Sequence, residues 1–475
     1  MVSNPKNHEP QAAAATGSDG YVSLYQAQKK IYPRSVTGLF AKWRWFFVFA
    51  TQIFFYGMPW LQWGGRQALL FDLEARRFYI FGLVLYPQDV IYLSGILIIS
   101  AMLLFLFTAV AGRQWCGYAC PQTVYTEIYL WMERKIEGDR SARMRLDAAP
   151  MSAAKFGRKA AKQLAWIAFG LWTGFTFVGY FTPIRELAGH VLSWSLGPWE
   201  TFWIFFYGFA TYGNGGYMRE QVCKYMCPYA RFQSAMFDKD TLIVTYDAQR
   251  GEPRGARSRK ADPKALGLGD CVNCTLCVQV CPTGIDIRNG LQYECISCAA
   301  CIDVCDDVMD KVGYPRGLIR YSTEHALQEG WNGKQILRHI FRPRVLVYST
   351  ILATVIAALL VSIFLRTPFK VDIVRDRASL ARIVDGNQIE NVYRIQVMNA
   401  TEKPQTFTLA AEGLPSLALV TDKSVTIDGA QSLWVPVRLQ LPYGAAPTGS
   451  HPIHFVVSAP DVGTVREKSV FMVPR

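Results

Sequence analysis

Charge is the first thing this sequence is short of. Asp, Glu, Lys and Arg make up 18% of its 475 residues, against 51% hydrophobic and 13% aromatic, where an ordinary soluble domain carries about 25% charged residues. That deficit, with a mean hydropathy of +0.11, excludes a disordered chain and implies long stretches held out of water. Acidic residues are scarcer than basic ones, 37 against 50, which leaves a net charge of +13. A secretory leader is also missing: Met1 to Gly38 is polar, includes the run Ala12 to Ala15, and has no apolar core before a small-residue cleavage site. Cysteine disappears after Cys305, so the C-terminal segment is expected to be free of disulfides. The twelve cysteines that do occur sit in a chain too long to need staples. A small secreted disulfide scaffold is thereby excluded, and cysteine spacing matters more than cysteine number. The length suits about three domains at roughly 150 residues each.

What the chain has instead is a set of five apolar windows. The first, Trp45 to Trp63, is nearly free of charge and rich in Trp, as an interfacial aromatic belt would be. The others run from about Val90 to Ala111, Leu164 to Phe181, Trp199 to Tyr212 and Val345 to Leu365. Basic residues then orient them. Lys6, Lys29, Lys30, Arg34, Lys42 and Arg44 precede the first window, and ten basic residues lie between Arg113 and Lys162. The loop between the third and fourth windows has only Arg185 against Glu186. The positive-inside bias therefore places the N-terminus inside and, after five spans, the C-terminus outside. Arg66, Arg76 and Arg77 in the first outer loop, and Arg366 and Lys370 after the last span, run against the bias without reversing it. Positive charge is read here as a topology signal and not as a nucleic-acid footprint.

Beyond the fifth window the hydrophobic period changes to two. Tyr393, Ile395 and Val397 alternate with Arg394 and Gln396, and Leu433, Val435, Val437, Leu439 and Leu441 repeat the pattern. Turn signals at Asp428-Gly429 and Pro442-Tyr443-Gly444 separate these runs, which predicts an immunoglobulin-like β-sandwich suited to contact rather than chemistry. His451 and His454 are its candidate metal ligands, although lone histidines among strands are usually surface residues.

Eight cysteines form two runs of one kind. Cys271, Cys274, Cys277 and Cys281, followed by Pro282, and Cys295, Cys298, Cys301 and Cys305 each follow C-x2-C-x2-C-x3-C, the spacing of bacterial ferredoxins. In that arrangement the fourth cysteine of each run ligates the other cluster. Cys271, Cys274, Cys277 and Cys305 are thus expected to hold one 4Fe-4S cluster, and Cys295, Cys298, Cys301 and Cys281 its neighbour. The second run ends in Asp306 where the usual run has Pro, which alters its local turn and not its ligands. Four thiolates also suit tetrahedral zinc, but two abutting runs with this spacing are better explained by clusters. Electron transfer is the default task of such a pair, with a structural or sensing role as the alternative.

The last four cysteines form two C-x3-C-P pairs, Cys116 with Cys120 and Cys223 with Cys227. If helical, the i, i+4 spacing puts both thiols of a pair on one face. The flanks repeat as well, with Arg113 aligned to Arg219 and Tyr118 to Tyr225, and each pair follows two spanning helices. This pattern predicts a parallel duplication that brings both pairs to the cytoplasmic membrane surface, facing each other across a pseudo-twofold axis. Four thiols there could bind a soft ion such as Cu(I), hold a further cluster, or cycle between dithiol and disulfide. Met218 and Met226 could add thioether ligation. The bland reading is a Cys-Pro that only shapes a helix end.

With these features in place, the chain resembles the CcoG/FixG/RdxA family of cytochrome c oxidase accessory proteins. The resemblance is carried by Lys30-Ile-Tyr-Pro-Arg34, Phe71-Asp-Leu-Glu-Ala-Arg-Arg77, Cys116-Gly-Tyr-Ala-Cys-Pro-Gln122, Cys223-Lys-Tyr-Met-Cys-Pro-Tyr-Ala-Arg-Phe-Gln-Ser-Ala-Met-Phe-Asp238, both ferredoxin runs and the terminal β domain. The resulting expectation is a multi-domain inner-membrane protein with five transmembrane helices, a two-cluster ferredoxin domain and a C-terminal sandwich. Its parts are a cytoplasmic tail (1–38), a four-helix membrane domain (39–237), a cytoplasmic ferredoxin domain (238–330), the fifth helix with its flanks (331–367) and a periplasmic sandwich (368–475). The resemblance implies a role in assembling cbb-type oxidase as a cupric reductase, with copper as substrate or bound ion at Cys116, Cys120, Cys223 and Cys227. Its partners would be a cytoplasmic electron donor, a copper transporter or chaperone, oxidase subunits or assembly factors, and the lipid bilayer. A membrane conduit to quinone or to a periplasmic reductase, and a non-catalytic assembly scaffold, are the rival readings.

Overall fold

The computed structural model describes residues 30–258, 265–376, 381–460 and 462–474. Most of the expected N-terminal tail, residues 1–29, therefore lies outside the described residues. Each of the five apolar windows is helical, with bounds that differ from expectation for identifiable reasons. The first helix, α1, is Leu39–Gly57. It stops before Trp60 and Trp63 because Pro59 turns the chain into a 3-10 turn, Met58–Trp60. A hairpin of β1 (Gln62–Trp63) and β2 (Arg66–Gln67) follows, and then a meander of β3 (Leu69–Asp72), β4 (Arg77–Ile80) and β5 (Leu83–Leu85). The second helix, α2, spans Val90–Ala111 as expected.

Short α3 (Gln114–Tyr118), α4 (Pro121–Glu137) and α5 (Arg140–Ala148) come next. The third long helix, α6, is Ala153–Val178 and starts well before Leu164, because Ser152 caps its first turn by accepting from the Lys155 N–H at 3.2 Å. After α7 (Ile184–Leu192) comes α8 (Pro198–Thr211), which continues as a π-helical stretch, Tyr212–Met218, over Gly213, Gly215 and Gly216. Small residues set the α6–α8 packing: a Cβ on Gly174 would collide with the Ile204 carbonyl oxygen, so only glycine lets the backbones approach this closely. A second π turn, Val222–Met226, leads into α9 (Pro228–Met236).

The segment that carries the two ferredoxin-type cysteine runs is framed by β6 (Ile243–Tyr246) paired antiparallel with β7 (Ile319–Ser322). Between them lie α10 (Ala248–Gly251), α11 (Leu276–Gln279) and α12 (Ala300–Val312). Then α13 (Glu324–Glu329) and α14 (Gly333–His339) lead to the fifth long helix, α15 (Pro343–Phe364), which packs along α2.

Among the described residues two helical stretches are long and apolar enough to cross a membrane, Pro87–Ala111 and Pro343–Phe364. Only 6% of each apolar window is buried, so these are not core helices of a water-soluble fold. The other three fall short for local reasons. Lys42 and Arg44 sit in the first turns of α1, four lysines and arginines in the first part of α6, and α8 is 14 residues long before its π extension.

The C-terminal domain is a two-sheet sandwich. Its strands are β8 (Phe369–Arg375), β9 (Arg382–Val384), β10 (Gln388–Asn399), β11 (Gln405–Glu412), β12 (Ala418–Leu419), β13 (Ser424–Ile427), β14 (Ser432–Pro442), β15 (Gly449–Ala459) and β16 (Gly463–Val473). One sheet is ordered β12-β14-β10-β8 with β9 also on β10, and the other β13-β11-β15-β16. The alternation read from the sequence points Tyr393, Ile395, Val397, Leu439 and Leu441 into the core with Phe369, Phe407, Phe455 and Phe471. Leu433 departs from it and stays exposed.

The segment between α1 and α2 docks on this sandwich. Leu70, Tyr79, Val84 and Tyr86 pack against Met398, Ala400 and Ala430. Arg66 pairs with Glu402 at 2.5 Å, Arg77 donates to Gln431 at 2.7 Å, and Asp89 holds Arg366 at 2.7 Å and Lys370 at 3.3 Å. Four of the five basic residues that ran against the charge bias thus have specific partners in this docking.

Candidate metal centres

Backbone conformation builds the ferredoxin cavities. In the first run Asn273 and Thr275, on either side of Cys274, are left-handed at φ 53° and 57°; in the second, Ser297 and Ala299 flank Cys298 at φ 53° and 59°. Side chains rarely adopt this region, and its repetition turns each run around a hollow. One cavity is lined by Cys271, Cys274, Cys277 and Cys305 with Tyr246, Leu276, Val308 and Leu318. The other is lined by Cys281, Cys295, Cys298 and Cys301, with Cys277 and apolar Ile285, Ile287 and Ile296. Four soft thiols around a dry hollow suit an iron–sulfur cube better than a single ion. Where Pro282 ends the first run, α11 stops at Gln279; with Asp306 in the corresponding place, α12 continues to Val312 and Asp306 accepts the Gly317 N–H at 2.9 Å.

Burial shapes the thiols' acidity. It pushes Cys277 up to about 11 and Cys295 and Cys305 up to about 12, so bare thiols here stay protonated at neutral pH and thiolates need a metal's positive charge. Among the described residues no three His, Cys, Asp or Glu side chains converge tightly enough to share one ion.

The thiol pairs repeat in backbone geometry, with a register that differs from the sequence alignment. The second and fourth long helices end on Gly112 at φ 55°, ψ −125° and on Arg219 at φ 41°, ψ −112°. Four residues further come Cys116 and Cys223. Cys120 and Cys227 each donate their N–H five residues back, to Trp115 at 2.9 Å and Val222 at 2.8 Å, and each precedes the first residue of a helix, Pro121 of α4 or Pro228 of α9. Arg219 therefore corresponds to Gly112, not to Arg113, and the alignment gap vanishes. The cysteines of a pair do not share one continuous helix either, because a proline forces the residue before it out of the helical region. Arg219 holds its strained backbone through hydrogen bonds to the Gly216 carbonyl at 2.7 Å and to Glu133 at 3.0 Å.

The structure brings the two pairs together. Burial is the main influence raising Cys116 to about 12, Cys223 to about 11 and Cys120 above its ordinary value, and each is also raised by a thiol of the other pair. Met218 and Met226 are exposed, and His451 contacts the Pro447 carbonyl at 2.7 Å.

The Cys116 pair also rests directly on the second cavity. Cys116 packs on Val280, Ile296, Cys298 and Ala300. A Cβ on Gly117 would lie 2.6 Å from the Ile296 carbonyl oxygen and 2.8 Å from the Cys298 Cα, so the two backbones touch. Buried Arg113 ties three elements together. It donates to Gln233, to the Ala230 carbonyl at 2.6 Å, and to the carbonyls of Tyr293 and, at 3.4 Å, Cys295. Tyr118 meets Tyr321 at 3.2 Å, and Tyr321 donates to the Ser297 carbonyl at 2.6 Å. From the other side, Asp303 accepts the Phe40 and Ala41 N–H groups at 3.1 and 2.7 Å, capping α1. Sequence reasoning singled out the cysteines but missed Gly117, Gln233 and Asp303, whose roles rest on contacts far apart in sequence.

Comparison with known proteins agrees with this architecture. The family described as 4Fe-4S dicluster domain matches residues 218–324, a 4Fe-4S binding domain matches residues 93–138, and the IG-like fold at the C-terminal of FixG matches residues 359–474. Nitrogen fixation protein FixG of Rhizobium meliloti is 38% identical over 437 residues, covering 86% of this chain and 83% of its own. The chain belongs to the FixG family. Protein RdxB of Cereibacter sphaeroides is 40% identical over 84% of this chain and 85% of its own, and Protein RdxA of the same organism 38% over 90% and 92%. A solved FixG-related protein from Vibrio parahaemolyticus, 22% identical with a TM-score of 0.21, covers 22% of this chain and 95% of that one. As a FixG-family protein the chain is an iron–sulfur electron-transfer protein. The 4Fe-4S binding match over residues 93–138 contains Cys116 and Cys120, outside both ferredoxin runs.

Proposed function

We propose that this protein reduces Cu(II) to Cu(I) at the cytoplasmic face of a bacterial inner membrane, in the service of cbb-type cytochrome c oxidase assembly. The observation that carries this reading is the direct seating of the Cys116 pair on the Cys298 loop, with the Cys223 pair beside it. Cys271, Cys274, Cys277 and Cys305 would hold one 4Fe-4S cluster, and Cys281, Cys295, Cys298 and Cys301 the other. When bound, these clusters supply single electrons at low potential. The chain's own residues do the rest. The four pair thiols offer a soft site that favours Cu(I) over Cu(II), and Gly117 keeps that site in backbone contact with the cluster loop. Each copper ion takes up one electron, which a cytoplasmic donor replaces. A copper transporter or chaperone would deliver or receive the ion, and oxidase subunits or assembly factors would be the downstream partners.

Five crossings are part of the proposal. Exposed apolar side chains on α2 and α15, such as Ile91, Leu97, Leu346 and Val361, are costly in water and cost nothing in lipid. Exposed Trp43 near the start of α1 and Trp60 and Trp63 just beyond its end suit the two membrane interfaces. With the basic loops inside, the ferredoxin region is cytoplasmic and the sandwich periplasmic.

The test is anaerobic purification of the full chain, iron and sulfide analysis, and a Cu(II) reduction assay. About eight iron atoms per chain are expected. Alanine at Cys116, Cys120, Cys223 and Cys227 together should abolish copper reduction while the iron stays; undiminished reduction would refute the site. A second reading, favoured by the match over residues 93–138, gives the four pair thiols a further cluster. It requires about twelve iron atoms, falling to about eight in the fourfold variant.

A further inference from the structure

The two ferredoxin cavities differ in the charge around them. Beside the first, Arg288 is held in a fork by Asp286, at 2.8 Å from Nε and 2.7 Å from Nη2, so its charge is cancelled on the spot. Asp306, directly after Cys305, adds a negative charge. Beside the second, Arg113 is 4% exposed and every acceptor it reaches is neutral: Gln233, and the carbonyls of Ala230, Tyr293 and Cys295. Among the described residues it has no ion-pair partner. A second cation, Arg44, lines the space that also touches Cys298 and Cys223. It shares Glu127, 3.8 Å away, with Arg134 at 3.1 Å, and its buried Nε has no hydrogen-bond partner among the described residues.

A buried cation without a counter-ion is strongly unfavourable, and the cost disappears when an anion sits next to it. A 4Fe-4S cube on four thiolates is such an anion, and reduction adds one more negative charge to it. A fixed positive charge therefore favours the reduced form, and net charge is one of the quantities that set cluster potential. On the ligand assignment proposed above, we infer that Arg113, supported by Arg44, holds the reduction potential of the Cys281/Cys295/Cys298/Cys301 site above that of its neighbour. These are positioning residues, acting through the cluster's charge. The asymmetry makes the site next to the thiol pairs the preferred resting place for an electron. Gln233 places the same cation beside the pairs, since its Oε1 accepts from Arg113 and lies 3.9 Å from the Cys116 sulfur.

The experiment is a redox titration followed by electron paramagnetic resonance on the full-length protein in detergent, after iron and sulfide analysis. Wild type should show two couples, and Cys298→Ser should alter only the higher one. Arg113→Gln keeps much of the volume and removes the charge. It should cut the reduced fraction of the higher couple at least tenfold at fixed potential, a shift of about 59 mV for one electron, with the lower couple unmoved. Arg113→Lys should restore most of the loss, and Arg288→Gln should move the lower couple alone. Arg44→Gln, which leaves the Arg113 hydrogen bonds intact, should lower the higher couple about threefold on the same scale. Fully loaded Arg113→Gln and Arg44→Gln proteins with unmoved couples overturn the inference, and so does a shift confined to the lower couple. A wild-type chain with fewer than about eight iron atoms would instead overturn the ligand assignment.

Discussion

Replacing Gly117 with alanine sets two local effects against each other. Gly117 lies in the short helix α3, where alanine is normally favoured over glycine by about 1 kcal/mol. The new methyl group, however, would sit 2.6 Å from the Ile296 carbonyl oxygen and 2.9 Å from the Cys298 nitrogen. Ordinary contact requires retreat by about 0.8 Å, and both partners are backbone, so no rotamer change relieves the clash. Overpacking of this kind costs about 1–3 kcal/mol, and backbone on both sides places it at the upper end. The clash wins by about 1–2 kcal/mol, which corresponds to a 5- to 30-fold faster opening of the docked loop. The assay is amide hydrogen exchange across residues 295–299 in detergent-solubilised wild type and Gly117→Ala. Gly157→Ala is the matched control, since a Cβ there meets nothing within 4 Å on an exposed turn of α6; it should stabilise its helix and leave residues 295–299 unchanged. Exchange at 295–299 that is unchanged or slower in Gly117→Ala would show that the two backbones do not touch.

Three further outcomes follow from buried charges. Glu133 is fully buried and binds Arg143 at 2.8 Å, Arg219 at 3.0 Å and Lys162 at 3.7 Å, so Glu133→Gln should destabilise the chain by about 3–5 kcal/mol in thermal unfolding. Burial works to raise its carboxyl, but Arg219, Arg143 and Lys162 outweigh that and hold it below the ordinary value. A depressed carboxyl contributes stability above its unfolded pKa, about 4.3, and loses it as pH falls through the lower folded value. Wild type should therefore lose stability steeply under acid and the Gln variant less steeply; parallel acid limbs would count against the network. Asp303→Ala removes the acceptor for two α1 N–H groups and should speed proteolysis before Ala41, with a loss of about 1–2 kcal/mol. Asp89→Asn leaves Arg366 and Lys370 without their carboxylate, and should expose residues 62–89 to protease while iron content stays at the wild-type level.

Local periodicity and spacing made much of this molecule legible. The two cysteine runs, the five helices and the sandwich core at Tyr393, Ile395 and Val397 all follow from residues within a few positions of one another. What escaped depended on distance along the chain. The start of α1 at Leu39 rests on Asp303, and the docking of the segment between α1 and α2 rests on Glu402, Gln431 and Arg366. The register of the repeat escaped for another reason: an arginine at positive φ carries no sequence signal, whereas the glycine at the equivalent place does. Arg113 reads in the sequence as one of ten basic residues and as a flank of the repeat, and only its burial among neutral acceptors marks it as a cation without a counter-ion.

The cap on α1 has a consequence for the order in which the protein is made. Asp303 is synthesised 262 residues after the Ala41 N–H it accepts. The first long helix is therefore made with its leading amides unsatisfied by this carboxylate, and water serves them until the segment around Asp303 emerges. Asp303 lies on α12 between Cys301 and Cys305, one cysteine lining each cavity. Packing of that helix between the two cavities is thus also the step that completes the start of α1. Chains cut short before Asp303 should be cleaved by protease faster at the start of α1 than full-length ones.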